Sequence, residues 1–234
     1  MVESDRPPGG DPLRSFPVVE NGVGEGELAR AVAVIRAGGM VAFPTETYYG
    51  LAVDPFNREA LSRLFAVKRR APDKPILCLV HERGQLELLA RRVPASYEPL
   101  ITAFWPGPLT LIFEAREEVP LVLTGYSGTV GIRISSHPLA TRLAAAFGGP
   151  ISATSANLSG LPAAASAAEV TAQLGPDVDL VLDGGATPGG RGSTLVGLAG
   201  DEPVLIRPGV ISQEELMEKS GREIWPMVPQ GGEK

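Results

Sequence analysis

The chain is poor in the residues from which many catalytic and metal sites are made. Of its 234 residues, one is cysteine and two are histidine. Cys78 has no partner for an internal disulfide. It stands in the apolar run at residues 76–80, so it reads as a small core residue and fits a reducing compartment. His81 and His137 are far apart in sequence, and with one cysteine they cannot assemble a structural zinc site. A Cys–His nucleophilic pair would need a thiolate inside an apolar strand, where thiols are inert. No apolar run reaches the roughly 18 residues that span a bilayer. The opening MVESDRPPGGDPLRSFP has no apolar stretch and is no signal peptide. Positive charge is in deficit too, with 21 Lys and Arg against 27 Asp and Glu, a net charge of −6. That argues against a general nucleic-acid binder, whose affinity comes from neutralising phosphates, while leaving room for a local basic patch.

What is present suits a soluble α/β domain. Hydrophobic residues make up 44% and charged residues 21%, and a chain of this length buries a sizeable core without disulfides or metals. Leu28, Ala31, Val32 and Ile35 recur at helical spacing, so residues 26–37 read as an amphipathic helix ended by Gly38-Gly39. Further helices are expected at 58–68, 84–91, 95–104, 137–147 (with Leu139, Leu143, Ala146 and Phe147 inward), 166–174 and 212–219. Strands are expected at 40–43, 76–80, 109–113, 129–134, 151–154 and 179–182. A hairpin at 193–198 and 203–207 completes them. This mixture predicts one α/β domain over residues 19–222, a twisted mixed sheet flanked by helices, between flexible tails at 1–18 and 223–234.

Polar and cationic residues gather where strands and helices end. The strand at 40–43 has nothing polar, yet Pro44-Thr45-Glu46-Thr47-Tyr48-Tyr49-Gly50 follows at once. Lys68 lies seven residues after Leu61, on the apolar face of its helix. It either snorkels outward or points into a cleft. Arg70 and Lys74, stiffened by Pro72 and Pro75, form a compact cationic corner of a kind that grips phosphates. Strand alternation places Thr129, Gly131, Arg133 and Ser135 on one face. If the sheet curves around a cavity, that face suits a carboxylate or phosphate. The strand at 151–154 empties into Ser155-Ala156-Asn157-Leu158-Ser159-Gly160, a density of hydroxyls consistent with turns or with a ligand at a strand end. The glycine-rich loop 184–192 precedes Ser193-Thr194 without the lysine or the following helix of a Walker A motif. Apart from Pro188 nothing in it larger than alanine is apolar, so it reads as mobile when empty, either a lid over the ligand or a plain hairpin connection. Arg207 ends a strand before Pro208-Gly209. No triad, paired-carboxylate site or zinc cluster emerges. The pattern is a site for an anionic ligand.

In this order the segments resemble the YrdC-type L-threonylcarbamoyladenylate synthases. The likeness rests on Pro44–Leu51, on Lys68-x-Arg70 with Lys74-Pro75, and on Phe104-Trp105-Pro106-Gly107-Pro108-Leu109-Thr110. It continues through Gly131-Ile132-Arg133, Ser155–Gly160, Ser193-Thr194 and Arg207-Pro208-Gly209, covering residues 25–212. The resemblance implies a YrdC-like fold with a deep, cationic cavity, matching the short form of the family. It implies a cytoplasmic nucleotidyltransferase that makes threonylcarbamoyl-AMP and pyrophosphate from L-threonine, bicarbonate and ATP, with Mg²⁺ as companion ion and no metal ligand from the protein. A tRNA threonylcarbamoyl-transferase complex would then move the group to tRNA position 37, with at most a weak tRNA contact by this chain and no membrane. By resemblance, Thr47, Arg133 and Ser193 hold threonine. Lys68, Arg70, Lys74, Thr129, Ser155, Asn157 and Arg207 hold ATP. Lys74 stands where many relatives have asparagine, and Leu79 where some have histidine. The competing reading is a tRNA- or dsRNA-binding module using the same cavity, against which the acidic net charge weighs.

Overall fold

The computed structural model describes residues 18–19 and 23–227. The expected tails at 1–18 and 223–234 therefore fall outside the described residues except for residue 18 and residues 223–227. In chain order the elements are β1 (Val18–Val19), α1 (Glu25–Arg36), β2 (Val41–Pro44), β3 (Tyr49–Ala52), α2 (Arg58–Lys68), β4 (Cys78–Leu79), α3 (Glu98–Phe104), β5 (Leu109–Glu114) and β6 (Thr129–Arg133). They continue with α4 (Pro138–Phe147), β7 (Ile151–Ser152), β8 (Thr154–Ser155), α5 (Ala167–Leu174), β9 (Leu180–Leu182), β10 (Thr194–Ala199), β11 (Glu202–Arg207) and α6 (Gln213–Ser220). None of the described helices is long and apolar enough to cross a membrane.

The strands divide between two mixed sheets where the sequence suggested one. The first has the order β1-β9-β2-β3-β8 and the second β11-β10-β5-β6-β4-β7. The run Ile151–Ser155 takes part in both, as β7 and β8 with Ala153 between them, which is why a single strand was expected there. Strand β2 is buried on both faces. Val41 and Phe43 pack with Leu28, Ile35 and Leu143 of α1 and α4. Met40 and Ala42 turn to the other core, with Tyr49, Leu51 and Leu61. A strand with helices on one side and a second core on the other has no place for polar residues, which explains its uniform sequence.

Strand β3 was not expected. It returns antiparallel to β2, with Pro44 opposite Tyr49 and Val41 opposite Ala52. The reversal is a local polar turn: Thr45 N donates to Tyr48 O at 3.1 Å, and Thr45 Oγ1 accepts from Thr47 N at 3.2 Å and Tyr48 N at 3.3 Å. Pro44 is tolerated because the ladder from β2 to β9 covers Val41 and Ala42 only. The helix expected at 84–91 is a 3₁₀ segment, Arg83–Leu88, and that at 95–104 is a 3₁₀ turn, Ala95–Tyr97, leading into α3. In α4 the inward residues are Leu139, Ala140, Leu143 and Ala144, whereas Ala146 is exposed. His137 precedes α4 as its cap, its Nδ1 accepting from Leu139 N at 3.2 Å.

The ordered chain runs past the expected boundary at 222. Leu205 N donates to Trp225 O at 2.9 Å, Met227 N donates to Leu205 O at 2.9 Å, and Ile224, just before them, is fully buried. The sequence there is too short and irregular to register as an element, yet it is held as a strap along β11. Ile224→Ala removes four carbons' worth of packing less one, and the expected cost is about 2–4 kcal/mol. Urea unfolding checks it, and a midpoint unchanged from wild type would mean that the strap contributes nothing.

Candidate active site

A cavity of ≈ 750 Å³ opens between the two sheets. The β2–β3 turn contributes Thr45, Thr47 and Tyr48 to its wall. Strand β6 contributes Thr129, Gly131 and Arg133, and β8 contributes Thr154 and Ser155. The far side is built by residues 191–193 and by Arg207-Pro208. Four of the described lining residues are arginines, Arg70, Arg133, Arg191 and Arg207, and none is a carboxylate. Pro75, Leu77, Ile112 and Leu195 supply an apolar portion.

Arg133 is 6% exposed. Its Nη1 donates to Glu46 Oε1 at 2.8 Å and reaches Thr47 Oγ1 at 3.5 Å. The other carboxylate oxygen of Glu46 accepts from Ser135 Oγ. Burial lowers the Arg133 pKa, Glu46 opposes that shift, and Arg207 adds to it by repulsion. Arg70 is lowered by burial and then by repulsion from Arg207, with Asp73 opposing. Arg207 is itself lowered by burial. These guanidinium groups are therefore close enough to disfavour one another's charge, and an anion between them relieves that.

Each arginine is aimed by its surroundings. Arg70 donates from Nε to Lys74 O at 3.2 Å and from Nη2 to Pro75 O at 2.9 Å. Arg207 Nη2 donates to Ser193 O at 3.0 Å. Ser193 is held between β5 and the turn after β11, where Val210 N donates to Gly192 O at 3.0 Å. Gly209 makes this approach possible: a Cβ there would stand 2.3 Å from Thr194 N and 2.4 Å from Gly192 O.

Of the residues singled out in the sequence, Thr47, Arg70, Thr129, Arg133, Ser155, Ser193 and Arg207 come together on the wall, and Lys68, Lys74 and Asn157 do not. Lys68 lies on the buried helix face, as its spacing required, but it neither snorkels nor faces the cleft. It is 1% exposed. Its Nζ donates to Ser155 O, to Asn157 O at 2.8 Å and to Asn157 Oδ1 at 3.3 Å. Asn157 also accepts from Ser155 Oγ at 2.6 Å and donates to Leu161 O at 2.7 Å. The two are struts beneath Ser155. Lys74 is exposed, and its carbonyl, not its ammonium, is what engages the site, by fixing Arg70. Leu79 is 2% exposed and offers nothing polar.

The glycine-rich loop is tied down rather than free. Tyr49 Oη donates to Gly185 O at 2.8 Å and to Asp183 Oδ1 at 3.1 Å. Thr187 N donates to Ala165 O at 2.8 Å, and Gly189 N to Thr47 O at 2.9 Å. Its anchors come from sequence-distant residues, so composition alone could not reveal them. The loop also carries Arg191, which sequence reasoning passed over, although it is the one long side chain there. Arg191 is exposed at the wall with no side-chain hydrogen bond or ion pair among the described residues.

The Lys68 strut has a pH signature. Burial, with repulsion from Arg70, lowers its pKa to about 7, while the three oxygens around Nζ favour the charged form. An unfolded lysine titrates near ~10.4. Between these values the unfolded chain binds more protons, so this site makes stability rise with pH across that window, by at most about 1.4 kcal/mol per pH unit. The stability of wild type relative to Lys68→Met is expected to improve from pH 7 to pH 10 in urea titrations. A difference independent of pH would show that the oxygens keep the ammonium charged throughout.

The Sua5/YciO/YrdC family model, described as "Telomere recombination", matches residues 33–209. The threonylcarbamoyl-AMP synthase of Pyrococcus abyssi is 39% identical over 211 residues, covering 90% of this chain and 62% of that one. The threonylcarbamoyl-AMP synthase of Bacillus subtilis is 40% identical over 192 residues, covering 81% of this chain and 55% of that one. The chain thus spans less than two thirds of the length of either relative. The crystal structure of P. abyssi Sua5 complexed with L-threonine matches with a TM-score of 0.84 at 38% identity, covering 89% of this chain and 62% of that one. The family model's match to most of the chain, the shared sequence and the shared fold lead to one conclusion: this protein belongs to the Sua5/YciO/YrdC family.

Proposed function

We propose that the chain is an L-threonylcarbamoyladenylate synthase, a nucleotidyltransferase that joins L-threonine, bicarbonate and ATP into threonylcarbamoyl-AMP with release of pyrophosphate. The observation that carries this reading is the wall itself. Mutually repelling guanidinium groups face a cavity that no lining carboxylate neutralises, so the occupant is an anion of high charge. The names of the curated relatives, and the threonine bound to P. abyssi Sua5, support the choice among anions.

In this reading Arg133 receives the threonine carboxylate, with Thr47 and Ser193 beside it. Arg70, Thr129, Ser155 and Arg207 receive ATP, and Arg191 adds the cation not already engaged by the protein. Lys68 and Asn157 act through Ser155, and Lys74 through Arg70, so none of these three touches a substrate. The amino nitrogen of threonine, once it has lost a proton to solvent, bonds to the carbon of bicarbonate, the C–O bond to the hydroxyl breaks, and water leaves, giving the carbamate. One of its oxygens attacks the α-phosphorus of ATP, the bond from that phosphorus to the bridging oxygen breaks, and pyrophosphate leaves. The wall needs no general base for this, because the carbamate is already anionic. Its contribution is alignment and fixed positive charge. The lining residues do not make a magnesium site, and no cluster of three His, Cys, Asp or Glu side chains occurs among the described residues. In this reading Mg²⁺ would be carried by the phosphates of ATP, where it would add to the positive charge supplied by the wall. The product would pass to a tRNA threonylcarbamoyl-transferase complex in the cytoplasm, and the catalytic unit would comprise the domain from residue 19 onward.

Pyrophosphate release from ATP is expected to require both L-threonine and bicarbonate. Release with either one omitted, or none with both present, overturns the assignment. Arg133→Ala leaves a substrate carboxylate without its partner, a loss of about 2–4 kcal/mol. Calorimetry is expected to show L-threonine affinity falling by at least about 30-fold. An unchanged threonine dissociation constant would remove Arg133 from that role. Arg191→Ala is expected to weaken ATP by about 10-fold, the order of one charge-assisted hydrogen bond, and to leave AMP unaffected.

A further inference from the structure

Ser193 stands at the cavity wall, and two neighbours fix what its hydroxyl does. A serine hydroxyl has one proton to donate and two lone pairs that accept. Arg207 Nη2, which is only ever a donor, lies 3.4 Å from Ser193 Oγ. Thr110 Oγ1 lies 2.9 Å from the same atom. Two hydroxyls facing one another could in principle exchange roles, but here the surroundings decide. Thr110 is fully buried on β5, and its hydroxyl has no other hydrogen-bond partner among the described residues. If Ser193 donated to Thr110, the Thr110 proton would be left buried with no acceptor, at a cost well above the value of one ordinary hydrogen bond. Ser193 faces the cavity, where water or a ligand can take its proton. The lower-energy arrangement sends the Thr110 proton to Ser193 and leaves the Ser193 proton for the cavity.

We infer that Thr110 is a positioning residue that wires Ser193 as a hydrogen-bond donor to the cavity, so that the occupant presents an oxygen acceptor at that point and not an amine. Given the function proposed above, on which this identification of the atom rests, the acceptor is an oxygen of threonine or of its carbamate, and the amino nitrogen lies elsewhere. The backbone enforces the wiring as well. Strands β5 and β10 pair in parallel with Thr110 opposite Leu195. Thr194 N donates to Pro108 O at 2.9 Å, and Thr194 Oγ1 donates to Ile211 O at 2.7 Å. Ser193, directly before β10, therefore stands beside Thr110 of β5.

Two measurements test this. In the unliganded protein, NMR is expected to show a slowly exchanging hydroxyl proton for Thr110 with a contact to the β protons of Ser193, absent in Thr110→Val. No such proton in wild type overturns the wiring. The second is a double-mutant cycle read by calorimetry with L-threonine. Thr110→Val is expected to weaken L-threonine about 3- to 10-fold, the value of one hydrogen bond. Thr110→Ser, which keeps the hydroxyl, is expected to bind within about twofold of wild type on the same scale. In the Ser193→Ala background Thr110→Val is expected to add nothing. An equal loss in both backgrounds would mean that Thr110 acts through packing, and the proposal fails. If wild type binds no L-threonine, the functional reading fails, and the NMR signal still decides the wiring by itself.

Discussion

A guanidinium buried as deeply as Arg133 needs an anion, and the protein provides one in Glu46. Removing one member of such a pair leaves an uncompensated charge in a poorly solvated place, a cost of about 3–5 kcal/mol. Much of the site follows from meeting that demand. Glu46 must sit in a turn, so β2 ends at Pro44 and the chain reverses at once through Thr45. Its second oxygen must be satisfied, and Ser135 lies two residues beyond Arg133 to do so. The same turn delivers Thr47 to the wall and accepts Gly189 of the glycine-rich loop. Charge on one strand thus organises a turn on another sheet and a loop more than fifty residues beyond Arg133.

The acidic net charge and the basic cavity do not conflict. The sum over 234 residues describes the far field, which sets solubility and long-range encounter. What a ligand meets inside is set by the few groups within several ångströms. There the count is four arginines against Glu46, which is itself occupied with Arg133.

How much of this was legible beforehand differs by residue. Helix α2 could be read because Leu61, Leu64 and Phe65 repeat at helical spacing, and the structure adds Asn57 as its cap, accepting from Glu59 N and Ala60 N. The polar face of β6 was legible for the same reason, an alternation carried within five residues. Strand β3 was hidden because Tyr49-Gly50-Leu51-Ala52 is buried on both faces and shows no alternation. Lys68 was placed on the right face, but which atoms solvate it depends on a turn near residue 157, and spacing holds no record of that. The loop at 184–192 looked free because its anchors are the hydroxyl of Tyr49 and carbonyls of Thr47 and Ala165. Composition reports what a segment can pack against itself, and these contacts come from elsewhere. Arg191 stands between Gly190 and Gly192, where no helical or strand period assigns its side chain a direction.

The hairpin of β10 and β11 has one end at the cavity and the other well away from it. Ser193 precedes β10 and Arg207 closes β11, while the reversal at Gly200-Asp201 is exposed, with Gly200 in the left-handed region at φ +63°. Six residues of strand place that reversal about 20 Å from Ser193. A foreign peptide, a fluorophore or an affinity handle grafted there would project from the end of the hairpin remote from the wall, and the left-handed glycine already provides the tight turn from which such a graft can leave the surface.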